Sequence, residues 1–325
     1  MTKIDNKDKK ILYQLDTDSR QSNSNIAKNV GLSKQVVGFR IKRLVQEDIV
    51  SSFHTVVDIS KLGFTIHKIF LRLQDVDKNK EVEMTNFLKQ NQNVVWVASC
   101  DGRYDLAFGI WARDMEYLDR IIGEFTRLYG RHISERTIAT IIHGEYFVRD
   151  YLIGKGVGTF RKSFFRAVPE KAKIDDVDWK ILLELGKNSR ASCADIAKLI
   201  DVSAETVANK IKKLEKFGVI RHYNIVPNES NYPYLHYKVL ISLRNLTDHR
   251  YKTFVEFCRM NPNIIYIVKA LGPWEAEVDI EIENADQFRK IMMDIKSRFN
   301  DVIKDYWALQ VYKVHKYNFC PSIQN

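Results

Sequence analysis

Lys34, Gln35, Arg40, Lys42 and Arg43 lie within LSKQVVGFRIKRL (32–44), a stretch with four cations and no acid. Such side chains suit a polyanion. Lysine and arginine hold phosphates, and glutamine or arginine pairs with the major-groove edge of adenine or guanine. Val37, Ile41 and Leu44 stand at i, i+4 and i+7, which places them on one buried helix face. Lys34, Gln35, Gly38 and Lys42 fall away from that face, while Phe39, Arg40 and Arg43 flank it. Ser33 is positioned to cap the helix by accepting a first-turn N–H. A helix that docks by one face and presents donors on another is a candidate reader of duplex DNA.

The pattern returns 170 residues later in VSAETVANKIKKL (202–214). There the candidate contacts are Ser203, Glu205, Asn209, Lys210, Lys212 and Lys213. Glu205 repels phosphate unless it accepts from a cytosine amino group, so the two helices are not expected to share one target. The repeat extends well beyond these helices. KIDNKDKKILYQL (3–15) meets KIDDVDWKILLEL (173–185), and about 19 of the first 48 aligned positions are identical. Farther on, NVVWVASCDGRYD (93–105) keeps register with NIIYIVKALGPWE (263–275) at low identity. One long period in two copies indicates a duplicated multi-domain unit rather than a solenoid.

The whole chain has 325 residues, 45% of them hydrophobic, and a formal net charge of +10. That balance favours an anionic partner, nucleic acid before a membrane surface. Cys100, Cys193, Cys258 and Cys320 are dispersed and read as reduced thiols, not metal ligands. The start, MTKIDNKDKK, lacks a signal-peptide core, and no apolar run approaches the roughly 20 residues of a membrane span. A cytoplasmic protein without membrane contact is expected. GKGVG (154–158) lacks the lysine–hydroxyl ending of a phosphate loop. His67, His143 and His236 read as isolated strand or strand-edge residues. No catalytic residue, metal site or cofactor is assigned.

Each copy opens with three short helices and a tight turn, Gly31 or Asp201, before the third. This is a helix-turn-helix layout. DIVSSFHTVVD (48–58) then alternates like a strand and is expected to form a wing. From residue 66 the order becomes β-α-β-β-α-β, a ferredoxin-like unit, and the second copy repeats it through about residue 318. Such units leave an open sheet face, and pairing of the two copies within one chain would cover it.

IDNKDKKILYQLDTDSRQSNSNIAKNVGLSKQVVGFRIKRL, the wing and the second domain with Gly102-Arg103-Tyr104-Asp105 at its central turn together resemble the Lrp/AsnC family of feast/famine regulators. The resemblance covers nearly the whole chain, twice. It implies an α+β chain in which two winged helix-turn-helix domains (1–60 and 173–230) alternate with two ferredoxin-like domains (61–150 and 231–325), joined by a linker at 151–172. It also implies double-stranded DNA as partner, an intrachain pseudo-dimer able to assemble as a homodimer, and an amino-acid effector held near Gly102, Asp105 and Thr137. Two departures stand out: Asp48 occupies the position of Gly218, and the second copy has Gly272-Pro273-Trp274-Glu275 at its turn. Two other functions remain open. One is an enzyme of the siroheme decarboxylase type, although Ala98-Ser99-Cys100-Asp101-Gly102-Arg103 lacks that group's histidine. The other is an adaptor that joins proteins without touching DNA.

Overall fold

The computed structural model describes residues 4–154, 161–166 and 171–318. Its first three helices are α1 (Asn6–Thr17), α2 (Asn23–Val30) and α3 (Lys34–Gln46). Asp5 and Asp8 form a capping box on α1, and Ser22 and Ser33 cap α2 and α3 by accepting from Asn25 and Val36 N–H. Ile11, Leu15, Ile26, Val37, Ile41 and Leu44 meet in one buried cluster. The second copy rebuilds the trio as α6 (Asp176–Lys187), α7 (Cys193–Ile200) and α8 (Ala204–Lys216). Gly31 and Asp201 both take the left-handed conformation, with φ of 67° and 56°. Asp201 therefore adopts the turn that glycine would adopt without strain.

β1 (Val50–Val57) is not a free wing. It pairs antiparallel with its counterpart β7 (Ile220–Pro227), and its second half is buried throughout. The alternation expected over 48–58 fails there because β1 is covered on both sides, by the helices and by the large sheet. A pseudo-two-fold axis runs through this joint. Ser189 N–H donates to Phe53 O at 2.9 Å and Ser19 N–H to Tyr223 O at 3.2 Å. The Ser19 and Ser189 hydroxyls are 2.5 Å apart, and Arg20 and Arg190 each donate to backbone carbonyls of the opposite copy.

The ferredoxin-like unit of copy one comprises β2 (Thr65–Leu73), α4 (Lys78–Gln90), β3 (Val94–Asp101), β4 (Leu106–Ala112), α5 (Met115–Tyr129) and β5 (Ile133–Phe147). After β6 (Arg161–Arg166) and the second helical trio, copy two repeats the unit. It runs β8 (Leu235–Leu243), α9 (Asp248–Arg259), β9 (Ile264–Leu271), β10 (Ala276–Ile282), α10 (Ala285–Arg298) and β11 (Ile303–Tyr317). The strand order is β2-β4-β3-β11-β8-β10-β9-β5-β6, and β5 also pairs with β2. The first eight strands thus close into a ring, with β6 attached to β5. Ile69 and Leu71 face α4 and α5 outside the ring, while Phe70, between them, faces inward.

The expected linker at 151–172 is in part structured. Leu152 packs into the first helical cluster, β6 pairs with β5, and Phe165 is buried. Most of GKGVG lies outside the described residues. Arg149, just before this segment, clasps two domains. Its guanidinium holds Asp16 of α1 at 2.6 Å and both oxygens of Glu281 on β10 at 2.7 and 2.9 Å. All three residues are buried.

Two glycines allow the copies to close on each other. Gly102 has φ of 136°, and a Cβ there would stand 2.8 Å from Ala308 O. Gly272 has φ of 158°, and its Cβ would stand 2.9 Å from Ile138 O. Gly102→Ala is expected to lower stability by about 2–3 kcal/mol, since it combines strain with a backbone clash. Gly154→Ala, at φ of 60° with nothing within 4 Å, should cost about 1 kcal/mol. Denaturant midpoints of the two variants check the difference.

Candidate nucleic-acid interface

The N-terminal part of α3 is the most open surface of the first helical trio. Ser33 gives its hydroxyl to the cap, while Lys34, Gln35 and Lys42 are exposed and Phe39 is 69% exposed. An exposed phenylalanine between cations is costly in water unless an apolar partner covers it. Arg40 and Arg43 are oriented differently. Arg40 Nη1 lies 2.8 Å from both Asp5 Oδ2 and Asp8 Oδ1, and Arg43 Nη2 lies 2.5 Å from Asp8 Oδ2. Copy two repeats the device with Lys210, which pairs with Asp175 and lies 3.2 Å from Asp178 Oδ1. The capping boxes concentrate carboxylates at the starts of α1 and α6. The cations on the third helices pin those starts, so Arg40, Arg43 and Lys210 brace each trio from within. On α8, Ser203 caps the helix, and Glu205, Asn209, Lys212 and Lys213 are exposed.

The Gly102–Asp105 turn carries structural tasks. Gly102 packs on copy two, and Asp105 Oδ2 accepts from Leu73 N–H at 2.7 Å. Thr137 is buried, its hydroxyl 2.9 Å from Tyr104 Oη. Glu275 repeats the role of Asp105 by accepting from Leu243 N–H at 2.6 Å. Geometry thus gives each of these three residues work within the fold.

The histidines divide. His67 bridges Thr65 and Thr140 at 2.8 and 3.0 Å, and His143 lies 3.3 Å from Glu145. His236, read above as isolated, lies 2.8 Å from Asp279 in an interior charge cluster with Lys238, Glu277 and Lys68. AEVDIEI (276–282) does alternate apolar and acidic residues, but alternation alone reads as one wet face. Ring closure turns that face inward. Cys100, Cys193 and Cys258 are free, and burial pushes the Cys100 thiol up to about 12. Among the described residues no group of three or more His, Cys, Asp or Glu could hold a metal ion, and no helix is long and apolar enough to cross a membrane.

Comparison with known proteins agrees with this geometry. The sequence model of winged helix-turn-helix DNA-binding domains matches residues 4–51, and that of the AsnC-type helix-turn-helix domain matches residues 174–215. The chain is 31% identical over 121 residues to HTH-type transcriptional regulator Ptr1 of Methanocaldococcus jannaschii, a match covering 37% of this chain and 80% of that protein. It is 34% identical over 116 residues to transcriptional regulator AzlB of Bacillus subtilis, covering 35% and 73% respectively. The chain belongs to the Lrp/AsnC family. These relatives match less than half of the chain because this Lrp/AsnC protein carries the regulator unit twice. The crystal structure of the siroheme decarboxylase NirDL superposes with a TM-score of 0.61 over 98% of this chain and 95% of that one, at 14% identity. That likeness concerns the fold of two joined units.

The braces on α1 and α6 set an acid limit on this Lrp/AsnC fold. Burial pushes Asp5 up, but the Arg40 hydrogen bond and the Asp8 N–H outweigh it and hold the carboxyl at about 2. The Lys210 hydrogen bond and the Asp178 N–H hold Asp175 at about 2 as well. Folding lowers both carboxyls from 3.8, so their stabilisation is present above that value and is lost as pH falls toward 2. In denaturant titrations, Asp5→Asn/Asp175→Asn should be less stable than the parent at neutral pH and lose less between pH 4 and pH 2.

Proposed function

We propose that the chain is a DNA-binding transcription regulator whose two reading helices, α3 and α8, engage one duplex as an unequal pair. The observation that carries this is the joint itself. Two capped third helices with exposed polar N-terminal residues are fixed about a pseudo-two-fold axis by β1–β7 pairing, as a helix-turn-helix dimer is fixed on two half-sites. One chain supplies both heads.

The heads differ in chemistry. Copy one offers Lys34, Gln35, Phe39 and Lys42; copy two offers Glu205, Asn209, Lys212 and Lys213. Gln35 suits adenine, and Glu205 accepts from a cytosine amino group. The lysines hold phosphates. An operator with two dissimilar halves follows. Binding is the role these exposed groups support: Lys34, Lys42, Lys212 and Lys213 are donors to an anion, and Glu205 is an acceptor.

Fluorescence anisotropy on genomic fragments recovered with the protein tests the reading. Affinity should fall with salt by about 0.9 in log K per log salt for each phosphate neutralised. Lys34→Glu/Lys42→Glu should weaken binding at least about tenfold and reduce that slope by about 2. Arg40→Met should lower thermal stability first. Binding that ignores salt and both substitutions overturns the proposal, and a tetrapyrrole absorption band on the purified protein would favour the decarboxylase reading.

A further inference from the structure

Within the ring of strands lies a cavity of about 80 Å³. Its walls come from equivalent strands that have diverged. Ile66, Lys68, Ala107 and Gly109 of copy one correspond to His236, Lys238, Glu277 and Asp279 of copy two, each pair 170 residues apart. Duplication has thus left one wall polar and the other largely apolar, with a glycine where its partner has an acid.

The polar wall is almost self-satisfied. Lys238 Nζ lies 2.7 Å from both oxygens of Asp279, and His236 Nε2 lies 2.8 Å from Asp279 Oδ1. Trp274 Nε1 donates to Glu277 Oε1 at 3.2 Å. Burial pushes Asp279 up, but the Lys238 charge and the His236 hydrogen bond outweigh it and keep the carboxyl far below its ordinary range.

Lys68 is the exception. An ammonium has three N–H donors. Its described hydrogen bond goes to Glu277 Oε2 at 2.5 Å. Burial pushes its pKa down, offset in part by Glu277. Its side chain keeps 15% exposure although it lines the cavity inside the ring. A buried ammonium short of acceptors favours an incoming anionic oxygen. The two lysines and two acids already balance, so an entering anion is held by the N–H donors that Lys68 leaves unused and not by net charge. Around it the lining is apolar and aromatic: Val56, Val95, Trp96, Tyr266 and Val268. The volume is small beside the roughly 300–1,000 Å³ of drug-sized pockets, which limits the occupant to about one ring.

We propose that this cavity is a binding site for a compact aromatic carboxylate, with its oxygens accepting from Lys68 and its ring against Trp96 and Tyr266. His54 and Val56 on the lining belong to β1, so the occupant touches the strand that joins the two helical trios. The site itself does not depend on the DNA reading.

Calorimetry on the full chain without DNA tests it, with phenylacetate as probe and phenylacetamide as its uncharged control. Phenylacetate should bind with Kd below about 10 mM, and the amide at least about tenfold more weakly. Lys68→Met and Val268→Phe, which remove the donor and fill the space, should each weaken the acid at least about tenfold. Circular dichroism and thermal midpoints verify folding. If Lys68→Met fails to fold, Val268→Phe and the amide comparison carry the test. No binding of phenylacetate up to about 10 mM, equal binding of the amide, or unchanged binding in every folded variant overturns the proposal.

Discussion

The sheets β5-β2-β4-β3 and β11-β8-β10-β9 each end in two edges whose N–H and C=O groups need partners, and in this chain each sheet finds them in the other. An exposed edge invites aggregation, and a buried unpaired one costs about 1–3 kcal/mol per group. The long last strands solve both problems. β5 pairs with β2 over Ile133–Thr140 and then with β9 over Thr140–Tyr146. β11 pairs with β8 and then with β3 over Gln310–Tyr317. Closing the ring makes an interior and presses Gly102 and Gly272 against opposite backbones. It also brings β1 and β7 together, so the distance between the reading helices is a property of the fold.

Carrying both copies in one chain releases them from identity. A symmetric homodimer must place the same residue at both equivalent positions. Here Asp16 and Glu281 clasp Arg149, while their equivalents are Gly186 and Trp111. Lys68 and Lys238 remain alike, but only the second has an acid directly opposite on the neighbouring strand, Asp279, where Lys68 faces Gly109. The reading helices follow the same course, Gln35 against Glu205 and Phe39 against Asn209. Asymmetry at the clasp, the cavity and the reading heads has one cause.

The interior charge cluster adds little stability by itself, because buried ions lose hydration that their attraction barely returns. It fixes geometry instead. Removing one member leaves another charge buried without compensation, which is far more costly than never having had the pair.

Local chemistry was legible along the chain. The cap at Ser33, the i, i+4, i+7 stripe of Val37, Ile41 and Leu44, and the β-α-β-β-α-β order all depend on neighbours within a few residues, and the 170-residue register exposed the duplication. What a side chain faces across the fold was not legible. Arg40 and Lys210 share a helical pattern with exposed lysines, yet each meets a capping box some 35 residues away in sequence. The acids of β10 alternate as a solvent face would, yet ring closure places them inside. Asp105 also accepts from the backbone of Leu73, a partner that its turn position did not reveal. The sequence by itself determined the elements, their order and their repetition, because those follow from local hydrogen bonding and periodicity. Only the tertiary structure decided which charges stay open to a partner and which are already paired, because that depends on strands and helices brought together from distant parts of the chain.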